Sequence, residues 1–488
     1  MSRAPVNRGV VLDADVRILP SSQGGGQLVL VGGAPVRLVR LSAAASAVLG
    51  SRDWSSLTGQ ALAERLIDTG LAHPRPDRHG PDVPGAAQVT VVVPVRDRPD
   101  GVRRLLAALD PQLRVVVVDD GSAVPLPEAT VRHQRPLGPA AARNAGLAHV
   151  TTPIVAFLDS DCVPELGWLD ALLPHLADAR VALVAPRIVA APGGRARSAL
   201  LSYEQARSPL DLGPREAAVT AGGRVSYVPA AAMLARRAAL GPGFVPHLRF
   251  GEDVDLVWRL VDAGWRVRYE PAACVGHAGR GSLREWLRQR YGYGLSAAPL
   301  QRAHPGQVPP LRMTTPTAAT WALALTLCPL GLTGAAGVAT VATLRLARRL
   351  PVQHPTRLAG RLVLTGTAAG GRQLLTALLR PWWPVALPAL LPSRRGRLLL
   401  AAALLGRPLA DRTSSAHRSD LPLDPLRWTL LQLLDDLSYS TGVWVGCWRE
   451  RHVGALLPRG PGHAGPGDAG QGKPGQVGDG HEFKGRNT

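Results

Sequence analysis

The chain has 488 residues, with 56 Lys plus Arg against 36 Asp plus Glu and a formal charge of +20. That length is too great for one ordinary core and predicts two or three regions. The basic excess is arginine scattered through every region with no nucleic-acid motif beside it, so attraction to a membrane is expected and a nucleic-acid partner is not.

Cys162, Cys274, Cys328 and Cys447 show no paired zinc-type spacing, which fits a reducing cytosolic setting without disulfides. The polar N-terminus predicts no secretory signal. Val16 to Leu19, a Gly24-Gly25-Gly26 turn and Gln27 to Val31 read as a hairpin. Pro35 to Leu41 adds a strand, and Ala43 to Leu49 and Gly59 to Thr69 read as helices. Together they predict a small winged-helix-like α+β module over 1–80. His73 and His79 fall among Pro74, Pro76 and Pro81, a stretch that reads as linker without a metal role.

Beyond the linker, strands and helices alternate as in a parallel sheet of βαβ units. Thr90 to Asp97 is a β-branched run ending in a turn, Arg98 to Leu109 is helical, and Val115 to Val118 ends in Asp119-Asp120-Gly121-Ser122. Gly138-Pro139 opens a helix containing Arg143. The apolar run Ile154 to Leu158 delivers Asp159-Ser160-Asp161, and Glu252-Asp253 heads the helical stretch Val254 to Ala263. A last strand, Trp265 to Tyr269, leads to His277. Acids at the carboxyl end of parallel strands suit a ligand crevice, where hard cations share oxygen ligands with phosphates. Singly, each motif has a plainer reading: carboxylates at a helix start complement its dipole, and a lone histidine after a strand is commonly structural.

In this order, strand-Asp, D-x-D, E-D and a trailing histidine resemble the family 2 glycosyltransferases of the GT-A fold, over roughly Gln88 to Ser296. The resemblance implies an α/β, Rossmann-like nucleotide-diphospho-sugar transferase core at 87–300 and metal-dependent, inverting sugar transfer. It implies that Pro94, Arg96, Asp97, Asp119 and Asp120 line the nucleotide pocket, with Arg143 near diphosphate or ribose and Asp159 facing ribose or metal. It further implies that Asp161 and His277 hold Mg²⁺ or Mn²⁺, and that Asp253, with Glu252 as its nearest competitor, is the general base. Arg288 and Arg290 look like diphosphate or acceptor contacts, and Arg280 could lie near phosphate. A solvated basic helix explains these arginines almost as well. Arg288-Gln289-Arg290-Tyr291 lacks the Q-x-x-R-W arrangement of extruding synthases.

Taken whole, the chain is similar to the mycofactocin-system glycosyltransferases of actinobacteria. That resemblance implies a UDP-glucose-type donor, β-1,4-linked glucose and premycofactocin, a peptide-derived redox molecule, as acceptor. The N-terminal module resembles peptide-recognition domains, which implies the precursor peptide or other pathway proteins as partners; a packing appendage is an equal alternative. Two further readings stay open: a lipid-linked or cell-wall glycan acceptor, and a peptide-binding chaperone with an inactive transferase domain.

From Met313 to Leu344 no charged residue occurs, enough for one membrane helix interrupted by Pro329. Leu362 to Leu379, Trp382 to Leu391 and Leu398 to Leu405 are short or carry Arg372 and Arg380, so they fit interfacial packing as well as spanning. A helical, membrane-associated region is therefore expected over 313–456, at the cell membrane with the catalytic domain on the cytoplasmic side. A disordered tail is expected over 457–488.

Overall fold

The computed structural model describes residues 9–191, 198–279, 281–415 and 423–459. The expected disordered tail lies, from residue 460 on, outside the described residues, as does Arg280.

At the centre is a mixed sheet of nine strands among the described residues. Val89–Val95 lies between Arg114–Asp119 and Ile154–Leu158, parallel to both. Its first five residues are buried, as a central parallel strand covered on both faces requires. Pro94 falls beyond Val92, the last residue paired to Ile154–Leu158, so its missing N–H costs that ladder nothing. Beyond Ile154–Leu158 the sheet continues through Ala232–Arg236, Val181–Ala190 and Arg266–His277, where antiparallel pairings enter. The last of these is longer than the sequence predicts. Its end pairs with Cys162–Pro164, bringing Cys162 opposite His277 and thus the D-x-D turn beside the histidine.

The N-terminal residues form a three-stranded meander, Arg17–Pro20, Leu28–Gly32 and Arg37–Arg40, followed by helices Ala43–Ser51 and Leu57–Asp68. Ser42 and Ser56 cap those helices through their hydroxyls, and Leu30, Leu62 and Leu66 fill the small core. The linker reading of Ala72-His73-Pro74 is corrected. These residues form a buried strand paired with Val10–Leu12. His73 contacts Asp13 at 2.8 Å and Arg268 of the large sheet at 3.1 Å. Arg224 grips Asp13 at 2.6 and 2.9 Å, and Arg266 reaches Glu64 at 2.8 Å, so the module is clamped to the sheet by ion pairs. Proline density misled the reading because strand pairing here comes from residues sixty positions earlier.

The apolar stretch from Met313 to Leu344 is interrupted at Pro329, as the sequence predicts. The chain breaks at 325–328 into helices Thr315–Ala324 and Pro329–Ala347, since Pro329 cannot continue a helix and Leu327 takes a positive φ. Pro329–Ala347, 19 residues, is the one described helix long and apolar enough to cross a membrane. Helices Pro355–Leu379, Trp383–Leu390, Arg394–Ala401 and Arg407–Ser415 follow. Pro425–Glu450 then returns to the core and packs along Leu283–Leu295. There Gly294, Gly442 and Gly446 allow backbone approach: a Cβ on Gly294 would stand 2.0 Å from the Tyr439 carbonyl, and one on Gly442 2.1 Å from that of Tyr291.

Candidate active site

The carboxyl ends of the parallel strands open onto a cavity of about 1210 Å³, closed on its far side by the C-terminal helices. Arg96, Arg143, Asp159, Glu252, Asp253, His277, Arg288 and Arg290 all line it. Residues far apart in sequence thus share one space.

Arg143, near the start of helix Pro139–Ala148, is almost wholly buried. Its Nη1 donates to Glu252 and its Nη2 to Asp159, both at 2.7 Å, and the guanidinium lies 5.5 Å from the Phe244 ring centre. Burial disfavours its charge, but Asp159 and Glu252 outweigh that and raise its pKa. The guanidinium expected near diphosphate or ribose lines the cavity and also ties the D-x-D and E-D motifs together.

Glu252 and Asp253 begin helix Glu252–Asp262, entered through Gly251 at φ +79°, where a Cβ would also press on Leu300 and Ser296. Asp253 accepts from the N–H groups of Ala230 at 3.2 Å and Val254 at 2.8 Å. Burial raises its pKa, with Arg143 offsetting in part. Burial and then the Asp253 carboxylate push Glu252 up to about 7. One guanidinium faces three acids, so the buried Glu252–Asp253 pair retains a proton until near neutrality.

Asp161 lies beside His277, with Oδ1 to Nε2 at 3.4 Å, and its Oδ2 accepts from Arg98 Nη1 at 3.0 Å. Asp161 itself does not line the cavity, though its partners Arg98 and His277 do. Among the described residues no group of three or more His, Cys, Asp or Glu side chains is arranged to hold a metal. The donor set still fits a divalent ion shared with a nucleotide, because one carboxylate and one imidazole leave most of a six-fold shell to phosphate oxygens and water.

Asp119 and Asp120 face inward. Asp119 accepts from the N–H groups of Ser122 at 2.8 Å and Leu126 at 3.3 Å and pairs with Arg132. Burial opposes its ionisation, yet Ser122, Leu126 and Arg132 hold the carboxyl below its ordinary value. Asp120 binds His133 at 2.8 Å and the N–H groups of Leu137 and Gly138 at 2.9 and 2.8 Å, fixing the entry to helix Pro139–Ala148. Asp97 takes a positive φ of 53°, donates its N–H to Ser122 and accepts from Ala123 N–H. Pro94, Asp97, Asp119 and Asp120 do not line the cavity; Pro94 lies within strand Val89–Val95, and the three acids brace the neighbouring loops.

Comparison with known sequences fits this geometry. The profile described as glycosyl transferase family 2 matches residues 90–240. A pre-mycofactocin glycosyltransferase of Mycobacterium tuberculosis is 41% identical over 476 residues, covering 94% of this chain and 99% of that protein.

The chain belongs to glycosyl transferase family 2.

The chain is also similar to the glycosyltransferase AglE of Haloferax volcanii, 25% identical over 239 residues, 41% of this chain and 75% of that one. Among solved structures, a mannosyltransferase from Pyrobaculum calidifontis in complex with GDP-Man and Mn²⁺ aligns with a TM-score of 0.36 and 21% identity, over 68% of this chain and 97% of the other. A Mycobacterium tuberculosis glucosyl-3-phosphoglycerate synthase with Mn²⁺ and UDP-glucose aligns at 0.30 and 19%, over 44% and 79%. As a family 2 glycosyltransferase, the chain has the GT-A architecture, and Asp159, Asp161, Glu252 and Asp253 fall within or just beyond the matched segment.

Sequence reading missed Arg98, Tyr227, Arg380, Asp435 and Tyr439, of which all but Arg98 were in stretches with no motif; all five line the cavity. A signal existed for two: Arg380 and Asp435 are charges in otherwise apolar helical stretches, where ionisable residues turn toward a polar interior.

Proposed function

We propose that the chain is an inverting, metal-dependent glucosyltransferase that moves glucose from a UDP-glucose-type donor onto premycofactocin and extends it as a β-1,4-linked oligoglucoside. The observation that carries this reading is the convergence of Asp159, Glu252, Asp253 and His277 on one cavity. Similarity along nearly the whole length of a pre-mycofactocin glycosyltransferase supports the acceptor.

In this reading Asp253 takes the proton of the acceptor hydroxyl as its oxygen bonds to the anomeric carbon. The bond from that carbon to the diphosphate oxygen breaks on the opposite face, and the nucleoside diphosphate leaves with the electron pair. Asp161 and His277 would hold Mg²⁺ or Mn²⁺, which when bound neutralises charge on the diphosphate. Arg143 keeps Glu252 and Asp159 in register, and Arg96 and Arg288 add positive charge to the rim. Asp97, Asp119 and Asp120 shape the nucleotide end by fixing the loops, Pro94 supports it from the strand, and Arg290 belongs to the acceptor end.

The chain works at the cell membrane, with its catalytic domain on the cytoplasmic face. Exposed Leu330, Leu332, Leu344, Leu398 and Leu405, interspersed with arginines, support this location. The same surface favours a second reading with a lipid-linked acceptor. The test incubates the full chain with UDP-glucose, Mn²⁺ and either premycofactocin or a polyprenyl phosphate. β-Glucosylated premycofactocin is expected; an α-linked product, or transfer to the polyprenyl acceptor alone, defeats the first reading. A chaperone with an inactive domain would give no metal-dependent thermal stabilisation by UDP.

A further inference from the structure

The far wall of the cavity carries a cluster of which the transfer chemistry above uses only Arg290. Helix Pro425–Glu450 contributes Asp435 and Tyr439, helix Leu283–Leu295 contributes Arg290, and Arg380 follows helix Pro355–Leu379. All four line the cavity, and all lie after residue 240, where the family match ends. Asp435 Oδ1 stands 3.6 Å from Arg290 Nε and 3.6 Å from Arg380 Nη2, close enough for charge attraction and too far for hydrogen bonds. Asp435 Oδ1, Arg290 Nε and Arg380 Nε are buried, and none has a hydrogen-bond partner among the described residues. Three such atoms together are costly unless something with both donors and acceptors sits among them.

The chemistry selects the ligand. An anion would meet the Asp435 carboxylate, with Asp436 next to it in sequence, so this corner does not suit diphosphate. A sugar hydroxyl suits it, because one O–H can donate to Asp435 Oδ1 and accept from an arginine Nε. The Tyr439 ring, with the Arg380 guanidinium 4.0 Å from its centre, gives a flat wall beside these atoms. The corner shares its cavity with the base: Asp253 lines the same space, as do the half-buried Tyr227 and Tyr293.

We propose that Asp435, Arg290 and Arg380, walled by Tyr439, form an acceptor subsite that binds the hydroxyl groups of the glucosyl residue to be extended. The inference rests on the glucosyltransferase reading, since extension requires that the product of one transfer be seated as acceptor for the next.

The test uses the full chain with saturating UDP and Mn²⁺ and titrates cellobiose by calorimetry, a measurement that needs no turnover. Wild type is expected to bind. Asp435→Asn, which keeps the side-chain shape, and Arg380→Gln, at a less buried position, are each expected to weaken cellobiose binding roughly tenfold to a hundredfold, the loss of a charge-assisted hydrogen bond. UDP affinity should stay within twofold and the melting temperature close to wild type. In turnover with UDP-glucose both variants should raise the acceptor KM and shorten the product chain. No cellobiose binding by wild type, unchanged binding in both folded variants, or a parallel loss of UDP affinity overturns the subsite. Cellobiose binding that depends on Asp435 without glucose transfer would instead refute the glucosyltransferase reading and leave a carbohydrate site.

Discussion

Arg143 and Glu252, 109 positions apart, are joined by a 2.7 Å ion pair with both side chains buried. The second Arg143 nitrogen holds Asp159, so one guanidinium fixes the distance between the two acidic motifs. Every role given to those motifs depends on that link.

Removing the tether should be severe. Arg143→Met leaves Glu252 buried beside Asp253 without its cation, and breaking a buried pair in this way costs about 3–5 kcal/mol. Urea denaturation measures it. A loss below about 1 kcal/mol would mean the pair is not a structural link.

Asp253→Asn keeps the shape of the side chain and removes its basicity. Transfer should fall by roughly 10²- to 10⁴-fold, the usual worth of a positioned general base. UDP binding, followed by titration, should survive. If Glu252→Gln, not Asp253→Asn, gives the larger fall, the base is Glu252.

The pH dependence has a definite sign. Glu252 titrates near 7 in the folded chain against 4.5 for the free side chain, so the folded state holds the extra proton between these values. Its stabilising contribution is complete below about pH 4.5 and is lost as pH rises through 7. Melting temperatures at pH 5.5 and 8 should differ more for wild type than for Glu252→Gln. An equal difference in both rules out Glu252 as the titrating group.

Metal removal separates the Asp161–His277 pair from the base. Chelation with EDTA should abolish transfer, with recovery on adding Mn²⁺. Asp161→Asn and His277→Ala should each weaken Mn²⁺-dependent UDP binding at least tenfold. Full transfer in EDTA would leave the pair a structural contact.

The glycine contact between helices Leu283–Leu295 and Pro425–Glu450 gives a test remote from the chemistry. Gly294→Ala puts a methyl 2.0 Å from a backbone carbonyl that cannot swing aside. The expected cost is about 1–3 kcal/mol, with a rise in acceptor KM as Asp435 and Tyr439 are displaced. Denaturation and steady-state kinetics together check this; a neutral effect on both means the helices can slide apart freely.

Local pattern determined much of this protein. The β-branched run at Thr90, the apolar run ending at Leu158 and the amphipathic start at Glu252 each specify their own element from neighbouring residues. The order of the acids on those elements was enough to point to family 2. Tertiary structure alone decided the rest, because ion pairs and cavity walls join residues whose separation in sequence carries no period. It converted His73 from linker to buried partner of Asp13 and engaged Asp119 and Asp120 in loop hydrogen bonds. It also folded helix Pro425–Glu450 back along helix Leu283–Leu295, placing Asp435 in the same cavity as Asp253. No motif announces such a partnership, since the energy that makes it comes from glycine-lined helix packing and not from the residues that meet.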